Sequence, residues 1–222
     1  MKLAKYAQIV KREGYCTLCE VETGGAWLAT RSAIYCAGDL PKIESDEQMR
    51  LVLDLSEKEW AKISYRYYEH ECDGNVLGMN LRNYDKEEVV TKKMQMQAVY
   101  KGKIATALQC ADGELVFYDE SLLEPVRKEL DDGEYEEIVV RKYANGLRYV
   151  VVKCGFEVIA GIAPLNIVSK EYLEKLAEFE VQCTQQFARD QARVDAAVAR
   201  AAAEQAEEEA EQIAMEGVQN GQ

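Results

Sequence analysis

The sequence predicts an α+β fold: an antiparallel sheet built from two pseudo-symmetric helix-plus-hairpin halves, followed by a long C-terminal helix. Three observations predict it. Short amphipathic segments alternate with strand pairs whose turns carry glycine. One order of elements, a helix, a hairpin and a third strand, occurs twice along the chain. From residue 170 onward apolar residues recur at helical spacing, and beyond residue 199 Ala, Glu and Gln dominate.

The first half begins with an amphipathic helix over residues 2–12, which Gly14 ends. A β-hairpin with a Gly24-Gly25 turn and a third strand over residues 32–36 follow it. Next we expect a helix that Ser45 caps, a second helical turn over 57–63 that Ser56 and Glu59 cap, and a strand over 65–68.

Residues 73–91 are the loosest part of the body, because glycine and asparagine concentrate there, and they are a candidate flexible connection. Strand signals return over 92–109, with a turn at Lys101-Gly102-Lys103, and over 114–118 after an Asp112-Gly113 turn.

The second half repeats the first. A helix over 122–130 is followed by Gly133, by strands over 137–142 and 147–154 joined at Asn145-Gly146, and by a strand over 156–162. The offset between the copies is 119 residues from Gly14 to Gly133 and 123 from Pro41 to Pro164. Such spacing is typical of a duplicated unit. Coincidence stays open, since helix–hairpin–strand is a common order.

The predicted domains are an α+β body over residues 1–168, a long acidic helix over 169–216 and a frayed tail over 217–222. The helix could pair with itself or with a partner, although Asp190 interrupts its apolar pattern. Alternatively, its first part, 172–187, packs on the body.

The net charge of −13 divides almost evenly, because residues 170–222 carry −7 and the rest of the chain −6. An acidic body argues against indiscriminate coating of nucleic acid, but it allows basic residues to collect on one surface. No segment approaches the roughly 20 apolar residues that span a bilayer, and no secretory signal is evident, so we expect a cytoplasmic protein without membrane contact. The seven scattered cysteines indicate reduced thiols.

One stretch of the second half resembles a known family. The segment Val116-Phe117-Tyr118-Asp119-Glu120-Ser121-Leu122-Leu123-Glu124-Pro125-Val126 resembles the strand-to-helix entry of a bacterial DNA sliding-clamp domain. The strand that ends at Ala163-Pro164-Leu165 resembles the closing strand of that domain, with Ala163 and Leu165 in place of two methionines. The likeness covers roughly residues 114–165, with some support over 2–41. Bacterial clamps carry three such domains, and this chain has room for about one.

The resemblance implies a clamp-like fold whose two helices face the DNA backbone. The implied phosphate-facing residues are Lys2, Lys5, Lys11, Arg12, Arg127 and Lys128. A pocket for partner peptides would lie beside the last strand, at Val158, Ile162, Pro164 and Leu165. The alternative to a phosphate-binding role is that these cations only keep the outer face of each helix solvated. The alternative to a pocket is that these apolar residues pack in the core. The resemblance also implies a homo-oligomer with protein partners, no cofactor and no catalysis.

Other constellations are weaker. Cys16, Cys19, Cys36, His70 and Cys72 could be assembled into a zinc site, but strand alternation points Cys16 and Cys19 to opposite faces, so we expect no metal. Nucleophilic catalysis would depend on His70, the one histidine. The tyrosines 65, 67 and 68 around Arg66 could stack on bases, although half-buried strand residues are commoner.

Two functions follow as hypotheses. The first is a non-catalytic, clamp-like, DNA-associated or replication-accessory scaffold. The second is a phage- or prophage-type adaptor or inhibitor that binds a host protein or a small signal and not DNA.

Overall fold

The computed structural model describes residues 1–21, 25–38, 40–71, 74–133, 135–167 and 170–219. They form two compact units, Met1–Ile167 and Val168–Gln222. The second unit is one helix, α5 (Lys170–Gln219), so residues 217–219 continue the helix and 220–222 lie outside the described residues. No helix in the described ranges has both the length and the apolarity to cross a membrane.

The first unit mixes helices and strands. Its helices are α1 (Leu3–Glu13), α2 (Asp46–Val52), α3 (Glu57–Trp60) and α4 (Arg127–Asp132), with a 3₁₀ helix (Glu120–Val126) directly before α4. Its strands are β1 (Tyr15–Val21), β2 (Ala26–Ala29), β3 (Ala33–Cys36), β4 (Ser64–Glu71), β5 (Asn75–Val76), β6 (Met79–Asn80), β7 (Val89–Tyr100), β8 (Lys103–Cys110), β9 (Leu115–Asp119), β10 (Glu136–Lys142), β11 (Arg148–Cys154) and β12 (Glu157–Ile162).

Ten strands form one sheet in the order β4-β1-β2-β3-β12-β11-β10-β7-β8-β9. Every pairing in it is antiparallel except that of β1 with β4. The predicted α+β class, with a large and mostly antiparallel sheet and a long C-terminal helix, is confirmed. Strands β3 and β12 pair near the middle of the sheet, with three strands beyond β3 and five beyond β12. In this pairing Tyr35 lies opposite Ala160 and Ala33 opposite Ile162.

Local sequence signals fix most element ends. Gly14 follows α1 with φ of +64°, and its N–H closes the last turn on the carbonyl of Val10. The predicted capping box of α3 is present, since the Ser56 side chain and the Glu59 side chain each accept a backbone N–H of the other residue. The helix predicted over 122–130 is a 3₁₀ turn that becomes α-helical only at Arg127. Pro125 accounts for the difference, because it cannot donate the backbone hydrogen bond that an α-helix needs there.

The sheet buries a hydrophobic cluster on each face. The helices cover one face, where Tyr6 and Val10 of α1 and Leu122 and Leu123 of the 3₁₀ helix pack on strand residues such as Val150. The opposite face holds a second cluster, whose buried members include Trp27, Ile34, Val139, Tyr149 and Val151, together with Val76, Met79 and Leu81 from the segment before β7. Alternation along β10 and β11 sends successive valines to the two clusters.

Residues 74–88, within the candidate flexible connection, form the small β5–β6 hairpin and cover this second face. Buried charge holds the segment in place. The fully buried guanidinium of Arg141 donates to the carbonyls of Asn80 and Arg82 and to the carboxylate of Glu88. The buried ammonium of Lys153 donates to the same carboxylate at 2.6 Å. Glu88 thus pairs with both buried cations, and Lys153 has a second carboxylate, that of Glu137, at 3.6 Å.

Replacing Glu88 with Gln should lower the free energy of unfolding by about 3 kcal/mol, because it removes the carboxylate that pairs with the fully buried guanidinium of Arg141. The matched control is Glu87→Gln, which removes the same charge from the exposed neighbour and should change stability by less than about 0.5 kcal/mol. Urea denaturation of both variants and the parent measures this. Equal stability of the two variants would show that the buried cations do not depend on Glu88.

Candidate functional site

Two helical segments lie side by side on the sheet and run in opposite directions. At the start of α1, the backbone N–H of Lys2 donates to the carbonyl of Pro125 at 2.6 Å. Near its end, Arg12 donates to the hydroxyl of Ser121 at 3.2 Å. The end of the 3₁₀ helix therefore meets the beginning of α1, and its beginning meets the end of α1. The solvent-facing residues of α1, the 3₁₀ helix and α4 are called the helical face below.

The six cations of the predicted phosphate-facing set lie on or beside α1 and on α4: Lys2 directly precedes α1, Lys5, Lys11 and Arg12 lie on α1, and Arg127 and Lys128 lie on α4. Lys2, Lys11, Arg12 and Lys128 are exposed, and Lys5 and Arg127 are half-buried. The structure thus brings the set onto neighbouring helical segments.

Carboxylates intervene among these cations. Four of the six have a carboxylate within 4.0 Å: the pairs are Lys5–Glu124, Lys11–Glu59, Arg12–Asp119 and Arg127–Glu120. The hydrogen bond from Lys11, with those of Ser56, lowers the pKa of Glu59 to about 2. Lys2 and Lys128 have no ion pair with a described residue. Because each pair cancels most of its field within a Debye length, this surface attracts phosphate less strongly than six free cations would.

The junction between β9 and the 3₁₀ helix concentrates polar contacts. Asp119, which is only 2% exposed, caps the 3₁₀ helix by accepting the N–H and hydroxyl of Ser121. Its neighbour Glu120 accepts hydrogen bonds from Lys93 of β7 at 2.6 Å and from Thr106 of β8 at 2.8 Å. The bond from Lys93 is the main reason that the pKa of Glu120 is lowered. The junction thereby ties the β7–β8 hairpin to the helical face.

The β7–β8 hairpin carries a basic surface that sequence reasoning missed. Residues 89–111 contain four lysines and neither Asp nor Glu, in a chain whose net charge is −13. Lys93 pairs with Glu120 and Lys103 with Asp119. Lys92 and Lys101 are exposed and have no ion pair with a described residue. The signal that could have found this surface is the acid-free run between Glu88 and Asp112.

The four residues of the predicted partner pocket do not share one surface. Ile162 is buried in the cluster beneath the helices, and Val158 is buried in the cluster on the opposite face. Pro164 is exposed. Leu165 donates its N–H to the carbonyl of Phe117 at 2.7 Å and packs on a third, small cluster at β8 and β9. The structure thus places two of the four in core packing.

The cysteines follow the predicted alternation. Cys16 belongs to the cluster beneath the helices and Cys19 to the cluster on the opposite face. Burial raises the pKa of the Cys16 thiol to about 12, which disfavours the thiolate that metal binding needs. Among the described residues no three His, Cys, Asp or Glu side chains converge as metal ligands. Cys72 and the side chain of His70 lie outside the described part.

The tyrosine-rich strand β4 forms one edge of the sheet. The hydroxyl of Tyr67 donates to Glu20 of β1 at 2.8 Å. On the neighbouring strand, the ring of Tyr15 lies 5.9 Å from the guanidinium carbons of both Arg31 and Arg66. Tyr15, Tyr67 and Arg66 thus make contacts with other residues of the first unit, which is common for half-buried strand residues.

Replacing Glu120 with Gln should reduce stability at neutral pH by about 1 kcal/mol, a small effect because Lys93 is half exposed. Since folding lowers the pKa of Glu120, its stabilisation is present above the unfolded value of about 4.3 and is lost as the pH falls below it. The parent should therefore lose more stability than Glu120→Gln between pH 6 and pH 3. Glu136→Gln, at an exposed carboxylate, is the control and should keep the parental slope. Parallel curves for all three proteins would contradict this role of Glu120.

The chain matches no protein-family model, no curated protein and no solved structure. Function is therefore inferred from the surfaces described above.

Proposed function

We propose that the protein is a non-catalytic, clamp-like scaffold that oligomerises, associates weakly with the backbone of duplex DNA and recruits protein partners. The strand order is the observation that carries the proposal. Outward from the β3–β12 pair, the sheet reads β3-β2-β1 on one side and β12-β11-β10 on the other. Each triplet is a run of consecutive antiparallel strands.

The helices fit the same relation. Helix α1 directly precedes β1, and the 3₁₀ helix with α4 precedes β10. The two helical segments lie next to each other in opposite directions, which is what a twofold axis through an antiparallel strand pair requires. This placement supports the hypothesis of two pseudo-symmetric halves, and the likeness to a clamp domain over 114–165 falls on β9, the 3₁₀ helix, α4 and β10 to β12.

The two copies also differ. The strand on the outer side of each triplet differs, because β4 pairs parallel with β1 whereas β7 pairs antiparallel with β10. Gly14 has a positive φ after α1, but Gly133 after α4 has φ of −78°. Divergence of this kind is compatible with a duplicated unit whose element order is preserved.

The charges indicate how DNA would be held. Four lysines have no ion pair within the described ranges: Lys2 and Lys128 near the helices, and Lys92 and Lys101 on the hairpin. The ammonium of Lys101 lies 5.2 Å from the centre of the Tyr100 ring. Phosphate contacts from such lysines are independent of base sequence and weaken steeply with salt. Because most other cations near the helices have carboxylate partners, the proposed association is weak.

The same ion pairs favour a second candidate function. A helical face on which most cations are matched by carboxylates resembles an ordinary solvated surface. An adaptor or inhibitor that binds a host protein or a small signal, without DNA, would carry such a face.

The double variant Lys2→Glu/Lys128→Glu should lose salt-sensitive retention of duplex DNA, because it places carboxylates where phosphates would lie. Fluorescence anisotropy of a labelled duplex over a salt series measures the affinity and its salt slope. The slope of log affinity against log salt should fall by about 2, one for each phosphate contact.

The control Lys42→Glu/Lys86→Glu makes the same change of charge at exposed lysines outside the helical face, and it should retain most of the parental affinity. A further double variant, Lys92→Glu/Lys101→Glu, reports whether the hairpin shares the contact. If the parent protein shows no retention even at low salt, the adaptor function replaces the proposal.

A further inference from the structure

Helix α5 carries an exposed stripe of side chains that the proposed function does not use. Within residues 178–202, whose side chains are all exposed, six positions follow one another at spacings of four, four, three, four and four. They are Phe179, Cys183, Phe187, Asp190, Val194 and Val198. The spacing is an 11-residue repeat, which keeps the six positions within one narrow sector of the helix.

The stripe is apolar apart from Asp190. Phe187 is 72% exposed, and Phe179, Val194 and Val198 are each more than half exposed. A helix of 50 residues is about 75 Å long, and such helices in proteins are stabilised mainly by packing of an apolar face. A cover for the stripe is therefore expected.

The stripe is symmetric about a point between Ala188 and Arg189. If a second copy of the helix lies antiparallel across that point, Phe179 faces Val198 of the other copy and Cys183 faces Val194. Phe187 then faces Asp190. A surface that matches itself in this way is suited to an isologous contact, in which the same residues serve both partners.

Charge decides the direction of the two helices. From residue 201 onward there are six glutamates and no lysine or arginine. Parallel helices would bring the two glutamate segments together and place Asp190 against Asp190, and both contacts are repulsive. Antiparallel helices place the glutamate segments at opposite ends. Asp190 then faces an aromatic ring, while Arg193 of its own helix remains 3.9 Å away.

We propose that α5 pairs with α5 of a second copy of this chain as an antiparallel two-helix coiled coil centred between Ala188 and Arg189. The pairing covers Phe179 to Val198 and joins two complete chains. It does not depend on DNA association, so loss of DNA retention leaves it intact. A monomeric chain would contradict both this pairing and the oligomer of the proposed function, whereas a 183–183 disulfide would contradict this pairing alone.

Cysteine cross-linking of the full-length chain tests the direction. In the antiparallel pair, Cys183 lies opposite position 194, so Val194→Cys should form an interchain 183–194 disulfide under mild oxidation. The parent chain should form no 183–183 link, because these residues lie 11 positions apart, about 16 Å along the axis. Peptide mapping identifies the bond. The control Ala192→Cys, on the other side of the helix, should not cross-link to Cys183.

Sedimentation of the full-length chain tests the pairing itself. Phe187→Glu should raise the dimer dissociation constant roughly tenfold or more, because it places a charge in the apolar seam. The control Val181→Glu changes an equally apolar residue, 56% exposed, that lies off the stripe, and it should leave the constant unchanged. A monomeric parent at all concentrations would overturn the proposal, as would a 183–183 disulfide, which indicates parallel helices.

Discussion

The pairing of β3 with β12 is the contact on which the arrangement of the body depends. It joins strands about 125 residues apart in the chain. It thereby places two antiparallel groups of three strands, β1 to β3 and β10 to β12, edge to edge. Gly161 lies in this pairing, and a Cβ there would come within 3.0 Å of Ile34, Met79 and Leu81. The absence of a side chain at that point lets the segment around β6 lie close against the middle of the sheet.

Because the two groups of three strands meet in this way, α1 and the 3₁₀ helix share one face of the sheet and contact each other along their length. Two tyrosines from α1 and β3 reinforce that contact. The hydroxyl of Tyr35, on β3, donates to the carbonyl of Leu122 at 2.8 Å, and that of Tyr6, on α1, donates to the carbonyl of Ala29. Each buried hydroxyl donates to a backbone carbonyl of another element. These hydrogen bonds fix the position of each helix on the sheet in addition to the apolar packing.

The distribution of charge separates the faces of the sheet. On the face opposite the helices, the buried Arg141 and Lys153 both pair with Glu88, and Lys153 also pairs with Glu137. The contacts with Glu88 fix the covering segment. On the helical face, pairs such as Lys5–Glu124 are half exposed and contribute little to stability. Their consequence is electrostatic, because they weaken the positive potential of the helical face.

Much of the local structure could be predicted from the sequence alone, because turns and helix ends depend on residues a few positions apart. The Lys101-Gly102 turn has positive φ at both residues, and the Asn145-Gly146 turn joins β10 to β11. The α+β class, the capping box at Ser56 and the long final helix follow from such signals.

Only the tertiary structure decided which strands became neighbours and which charges became paired. No local pattern specifies that β4 lies parallel to β1, or that Glu88 meets Arg141 from 53 residues away. The six predicted cations could be placed on the two helices from spacing alone. Whether carboxylates neutralise them depends on where Glu59, Asp119 and Glu120 lie after folding, and that is set by long-range packing rather than by residue spacing.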